Sequence, residues 1–168
     1  GQHLLIKAVN VLVEKGLNVN AYFVGSAMQE SYLEMLKQDV KDRGLEKNIH
    51  FLGFMKNPHH FFQACDSIVM ASKRETFGLV VIEAMQVQTA VIGSNSGGVV
   101  EIIDDEETGL LFEVQNYKSL AHKTEMLINS PELTLRIAKA GQEKCEEKFS
   151  NELQFEKLSL ILKDLSES

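Results

Sequence analysis

Arg74-Glu75-Thr76-Phe77-Gly78-Leu79-Val80-Val81-Ile82-Glu83-Ala84-Met85 is the stretch from which the rest of this chain can be read. Two carboxylates, Glu75 and Glu83, frame seven mostly apolar residues. Ahead of them Ser67-Ile68-Val69-Met70-Ala71-Ser72 is an apolar run of strand length. From about Gly78 the segment is apolar enough to predict a helix buried almost all round. A strand ending in a loop that carries Glu75, followed by a helix with Gly78 in its first turn, is where α/β proteins bind ligands beyond their strands' carboxyl ends. The unpaired N–H groups of that turn, from Phe77 to Val80, favour a phosphate, and Gly78 lets it approach closely. Glu83 falls inside the helix among Leu79, Val80, Ile82 and Ala84, where an unpartnered charge is costly. Either it meets a structural Lys or Arg or reaches solvent, or both carboxylates accept hydrogen bonds from ligand hydroxyls.

Outward from this block the chain alternates strand and helix. A helix over 4–15 stops at Gly16, and Asn20 to Gly25 follows as a strand with a turn at Gly25-Ser26. No GxGxxG follows it, so a dinucleotide fingerprint is absent. An amphipathic helix over 29–43 ends at Gly44. Asn48 to Phe54 is a strand and turn, Pro58 opens a short helix to Cys65, and Ser67 to Ala71 is the next strand. Beyond the central helix come a buried strand over Thr89 to Gly93, the loop Ser94-Asn95-Ser96-Gly97-Gly98, a short helix from Val99 to Ile103 and a strand over Thr108 to Phe112. The Gly97-Gly98 pair fits a second ligand-facing helix start and a tight turn equally well. Helices follow over about 116–129, 131–148 and 150–165. The last of these puts Leu153, Phe155, Leu158, Ile161, Leu162 and Leu165 mostly on one side. This order predicts one α/β domain over 1–168, a parallel sheet covered by helices on both faces, with right-handed crossovers and a helical C-terminal tail.

Composition narrows the function. The 168 residues are 44% hydrophobic, enough for a sizeable core. The net charge of −7 argues against a nucleic-acid partner, which calls for clustered basic surface. An anionic ligand needs local cations or helix N-termini, and Lys73 and Arg74 are candidates. Cys65 and Cys145 stand far apart with no CxxC pattern, as expected of reduced thiols in a cytoplasmic protein. Adjacent His59 and His60 point in different directions on a helix, and no metal is expected there. No run is long and apolar enough to be a membrane span.

Glu75, the seven residues after it and Glu83, with Phe77-Gly78-Leu79-Val80 and Ile82-Glu83-Ala84-Met85 around them, resemble the E-x7-E signature of the retaining glycosyltransferase family 4, also called group 1. Phe23-Val24-Gly25, Phe51-Leu52-Gly53, Asp66 to Ser72, Gly97-Gly98-Val99-Val100-Glu101 and Thr108-Gly109-Leu110-Leu111 resemble family segments in the same order. The resemblance implies one Rossmann-like half of a GT-B enzyme, the C-terminal half that binds the nucleotide-sugar donor. It implies that Glu83 binds the ribose hydroxyls and that Glu75 holds the donor sugar near the reacting carbon as the catalytic residue. The N–H groups around Phe77, Gly78, Leu79 and Val80 would face the diphosphate. Phe54 and Met55 would border the base, and Gly25 belongs to the same donor-binding set.

The implied reaction transfers a sugar from a UDP-, GDP- or ADP-type donor to an acceptor hydroxyl with retention, by front-face substitution assisted by the leaving phosphate. Such a site needs no cofactor or metal. The family's Arg and Lys before the first helix are not matched here, nor is the acceptor domain. The chain is therefore expected to be the donor half of a larger enzyme, inactive alone, cytoplasmic, and near the inner face of the membrane through the absent domain. Polysaccharide or glycolipid biosynthesis is the expected setting. A nucleotide-sugar epimerase-type domain and a non-catalytic nucleotide-binding or interaction module are the alternatives. The epimerase reading rests on Ser96-Gly97-Gly98 and Glu101, and product analysis would separate it from glycosyl transfer. A phosphoacceptor receiver domain is a weaker rival, because Asp104-Asp105 follows a helix.

Overall fold

The computed structural model describes residues 1–150 together with 155, 158–160, 162 and 163. Helix α1 spans Gln2–Glu14, followed by β1 (Ala21–Val24), α2 (Glu30–Asp42), β2 (Ile49–Gly53), α3 (His59–Gln63) and β3 (Ser67–Met70). Then come α4 (Leu79–Gln86), β4 (Ala90–Ser94), α5 (Val99–Ile102), β5 (Leu110–Phe112), α6 (Tyr117–Asn129) and α7 (Pro131–Phe149). Each element expected up to residue 149 is present, with ends within about two residues of the sequence reading. Of the helix expected over 150–165, Leu153, Ile161 and Leu165 lie outside the described residues. Phe155, Leu158 and Leu162 are helical and exposed.

All strand pairings are parallel, but the strands form two sheets rather than one. β1 pairs with β2, and β3, β4 and β5 pair in that order. In the three-stranded sheet side chains alternate between two cores, as the period of two requires. Ala90, Ile92, Leu110 and Phe112 pack with α1, α6 and α7. Val91, Ile68, Met70 and Leu111 pack with α4 and α5 on the other face. β4 is buried at every residue, which explains its apolar run from Ala90 to Gly93. A third core joins α1 and α2 to β1 and β2.

Helix α1 belongs to two of these cores at once. Leu4, Ala8 and Leu12 face the three-stranded sheet side, and Ile6 and Val9 face the two-stranded one. It therefore ties the two halves together. Helices α6 and α7 start where capping chemistry dictates. The Asn116 side chain accepts from the Lys118 and Ser119 N–H groups at 3.0 and 3.1 Å, and the Ser130 hydroxyl accepts from Leu133 N–H, just ahead of Pro131.

The acidic pair Asp104-Asp105 is consumed by the fold. The buried Lys144 ammonium donates to Asp104 at 2.7 Å, joining α7 to the turn after α5. Asp105 accepts from Leu111 N–H at 2.7 Å and pairs with Lys123. With these partners it offers no free acidic cluster at a strand end, so the receiver reading has no site.

Candidate nucleotide-sugar site

The loop between β3 and α4 is built by interlocking with the loop after β4. The Ser94 hydroxyl donates to the Ser72 carbonyl at 2.6 Å, Ser96 donates to the Lys73 carbonyl at 2.8 Å, and Gly98 N–H donates to the Glu75 carbonyl at 2.9 Å. The backbones touch so closely that a Cβ on Gly97 would overlap the Glu75 carbonyl oxygen. One on Gly98 would lie 2.7 Å from Phe77 Cα. The glycine pair is thus explained by close approach of two loops, one of the two roles the sequence left open. Sequence reading named Ser94 only as the start of a loop and Ser96 only as part of the epimerase alternative, and neither as a loop-to-loop tie. Their signal, hydroxyls flanking a glycine pair after a buried strand, is legible only once the partner loop is known.

Held in this way, Gly78 takes φ +91° and becomes the N-cap of α4, with no side chain capping the helix. Leu79 opens the helix at 62% exposed, with Val80 and Phe77 also exposed. The expectation of a helix buried almost all round is therefore corrected. Val81, Ile82, Ala84 and Met85 are buried, but the first turn faces outward with its early N–H groups uncapped. Phe77 is steadied by an edge-on contact with Phe149, with ring centroids 6.4 Å apart.

Glu75 is half-buried in the loop, and one carboxylate oxygen accepts from Thr76 N–H at 3.2 Å. Glu83 is half-buried on α4. Among the described residues neither carboxylate is in an ion pair, so the structural-partner reading of Glu83 finds no Lys or Arg. Lys73 and Arg74 are exposed beside them.

A groove of about 770 Å³ runs between β1 and β3. Glu83, Val80, Gly25, Phe54 and Met55 line it together, which unites one part of the expected donor-binding set. Glu75, Phe77, Gly78 and Leu79 are not in its lining and sit instead on the adjoining β3–α4 loop and helix start. Gly25 N–H donates to the Gly53 carbonyl at 2.8 Å, which joins the ends of β1 and β2 just before Phe54. Phe54 itself is 74% exposed.

Parallel strands flanked by helices define an α/β protein, and its two half-buried carboxylates lie on either side of an uncapped helix start beyond a strand's carboxyl end, where proteins of this class bind ligands. Residues 1–144 match the sequence profile of the family described as Glycosyl transferases group 1. The chain belongs to this family. It is 31% identical over 158 residues to the capsular polysaccharide biosynthesis glycosyltransferase CapM of Staphylococcus aureus, covering 94% of this chain and 41% of that protein. Its fold is similar to that of Anabaena HepE solved in complex with UDP-glucose, at TM-score 0.86 and 30% identity, covering 95% of this chain and 45% of the other. It is also similar to the C-terminal domain of the group 1 glycosyl transferase LpcC from Francisella tularensis, at TM-score 0.80 and 34% identity, covering 88% and 78%. The neighbours include GT-B glycosyltransferases. The chain spans less than half the length of the curated relatives it matches.

Proposed function

We propose that this chain is the donor-binding half of a retaining glycosyltransferase, with Glu83 holding the ribose hydroxyls and Glu75 the donor sugar. The observation that carries this reading is the position of the two carboxylates, one on either side of the uncapped start of α4 and neither in an ion pair among the described residues. The first-turn N–H groups at Leu79 and Val80 then face the diphosphate, helped by Lys73 and Arg74. Phe54, Met55 and Gly25 border the nucleoside.

The step proposed is substitution at the anomeric carbon. The bond from that carbon to the phosphate oxygen breaks, and its electron pair leaves with the diphosphate. The acceptor oxygen bonds to the carbon on the same face and loses its proton to the departing phosphate oxygen. Glu75 positions the sugar and forms no covalent intermediate, and the developing negative charge is met by the helix start and nearby cations. The acceptor site and the family's upstream cations belong, in this reading, to the rest of a longer protein of polysaccharide or glycolipid biosynthesis. This 168-residue part alone is then inactive. We place that protein in the cytoplasm, where free thiols such as Cys65 and Cys145 persist.

Because HepE was solved with UDP-glucose, UDP is the first nucleotide to titrate, followed by GDP and ADP. Calorimetry should show saturable binding to one of them. Replacing Glu83 by Ala removes charge-assisted hydrogen bonds of roughly 1.5–3 kcal/mol in total and should weaken binding by about ten- to a hundredfold. Unchanged affinity in Glu83→Ala overturns the assignment of Glu83. Absence of binding in both this chain and the longer protein overturns the donor-site reading.

A further inference from the structure

The loop after β4 is anchored on both of its strands. Ser94 closes a strand buried along its whole length and is itself buried, Asn95 N–H donates to the Phe112 carbonyl of β5 at 2.8 Å, and Ser96 N–H donates to the Ser94 carbonyl at 2.7 Å. From this base three donors at alternate residues, the Ser94 and Ser96 hydroxyls and Gly98 N–H, hold the carbonyls of Ser72, Lys73 and Glu75. In a planar trans peptide the N–H points opposite to the carbonyl, and no peptide bond among the described residues is cis. With those three carbonyls turned toward the Ser94–Gly98 loop, the N–H groups of Lys73, Arg74 and Thr76 are turned away from it. Thr76 N–H is the group that bonds the Glu75 carboxylate, at 3.2 Å. The stem of Glu75 lies against the start of α4, since a Cβ on Gly78 would stand 3.6 Å from Glu75 Cγ. The aim of the carboxylate therefore follows from its own peptide plane, and that plane is set from the neighbouring loop.

We propose that Ser94 and Ser96 are positioning residues for the donor sugar, acting through Glu75 without touching the ligand. Each hydroxyl fixes one peptide plane ahead of Glu75. Without it that plane is free to turn, the planes after it follow, and the carboxylate spreads over several rotamers instead of one. The two hydroxyls differ in what else they do. Removing the Ser94 hydroxyl leaves the half-buried Ser72 carbonyl short of a donor, which costs stability as well as position. Ser96 is only half-buried, so water takes over the Lys73 carbonyl when its hydroxyl is removed, and position is what is lost. This inference rests on the proposed placing of the donor sugar at Glu75 and adds to it the groups that aim Glu75.

The test is calorimetric titration of this chain with UDP-glucose in a cycle of Ser96→Ala, Glu75→Ala and the double variant. Ser96→Ala is expected to weaken binding by about tenfold in the wild-type background and by less than about twofold once Glu75 is already Ala. Ser96→Thr, which keeps the hydroxyl, should bind within about twofold of wild type. Ser94→Ala should follow the same pattern and also lower the denaturation midpoint, which Ser96→Ala leaves in place. Equal losses in both backgrounds would mean that the serine acts on the fold rather than through Glu75, and would overturn the proposal. Full affinity in Ser96→Ala alongside a clear loss in Glu75→Ala would overturn it while leaving the sugar role of Glu75 intact. No UDP-glucose binding by the wild-type chain, or unchanged binding in Glu75→Ala, would instead strike the placing of the sugar at Glu75, and this inference with it.

Discussion

Gly97 and Gly98 show how much a residue without a side chain can determine. Gly97 sits at φ +58° with its α-carbon against the Glu75 carbonyl, so Gly97→Ala adds backbone strain and an overlap at one position. We expect a loss of about 2 kcal/mol or more in chemical denaturation, with Glu75 displaced and nucleotide affinity lowered beyond the stability change. Equal stability of the variant would mean that the loops are not interlocked in solution. Cys145 gives a pH signature. Burial pushes its thiol up from near 9 to about 11, with Lys144 opposing and Glu146 adding to the rise. A folded value above the unfolded one favours the protonated fold. The contribution is therefore fully present below pH 9 and lost as pH climbs to about 11. The gap in unfolding midpoint between wild type and Cys145→Ala should narrow over that interval, and a constant gap would contradict it.

At the scale of the element, α4 and α6 begin in opposite ways. α6 is closed by the Asn116 side chain, and Asn116→Ala should cost about 1 kcal/mol in a denaturant titration while leaving nucleotide binding unchanged. α4 is left open by Gly78, with no capping side chain. That difference was half legible. The sequence placed both helix starts, near 116 and near Gly78, and gave the carboxylates Glu75 and Glu83, but not which start a side chain closes. Hydrophobic content misread α4 as buried almost all round, since Leu79 and Val80 are as apolar as Val81 and Ile82 yet face outward. Composition records how much apolar surface a helix carries, whereas only its neighbours decide which part is covered.

Across the whole molecule the two sheets meet through α1 rather than through strand hydrogen bonds. An isolated two-stranded sheet is marginal, and here β1 and β2 depend on α1 and α2 for burial. Native-state exchange of the 168-residue chain should therefore show β1 and β2 amides opening at lower denaturant than those of β4, as a separate cooperative unit. A single opening free energy for all strands would show that α1 couples the halves fully.

Alternation of strand and helix, the stops at Gly16 and Gly44 and the framed block from Glu75 to Glu83 determined the α/β class, the element order and the family. These are local signals, carried by residue types at fixed spacing. The division into two sheets, the interlock of the Ser94–Gly98 loop with Glu75 and the outward face of α4 were decided only by tertiary structure. Each depends on which distant segment lies alongside, and no local spacing records that.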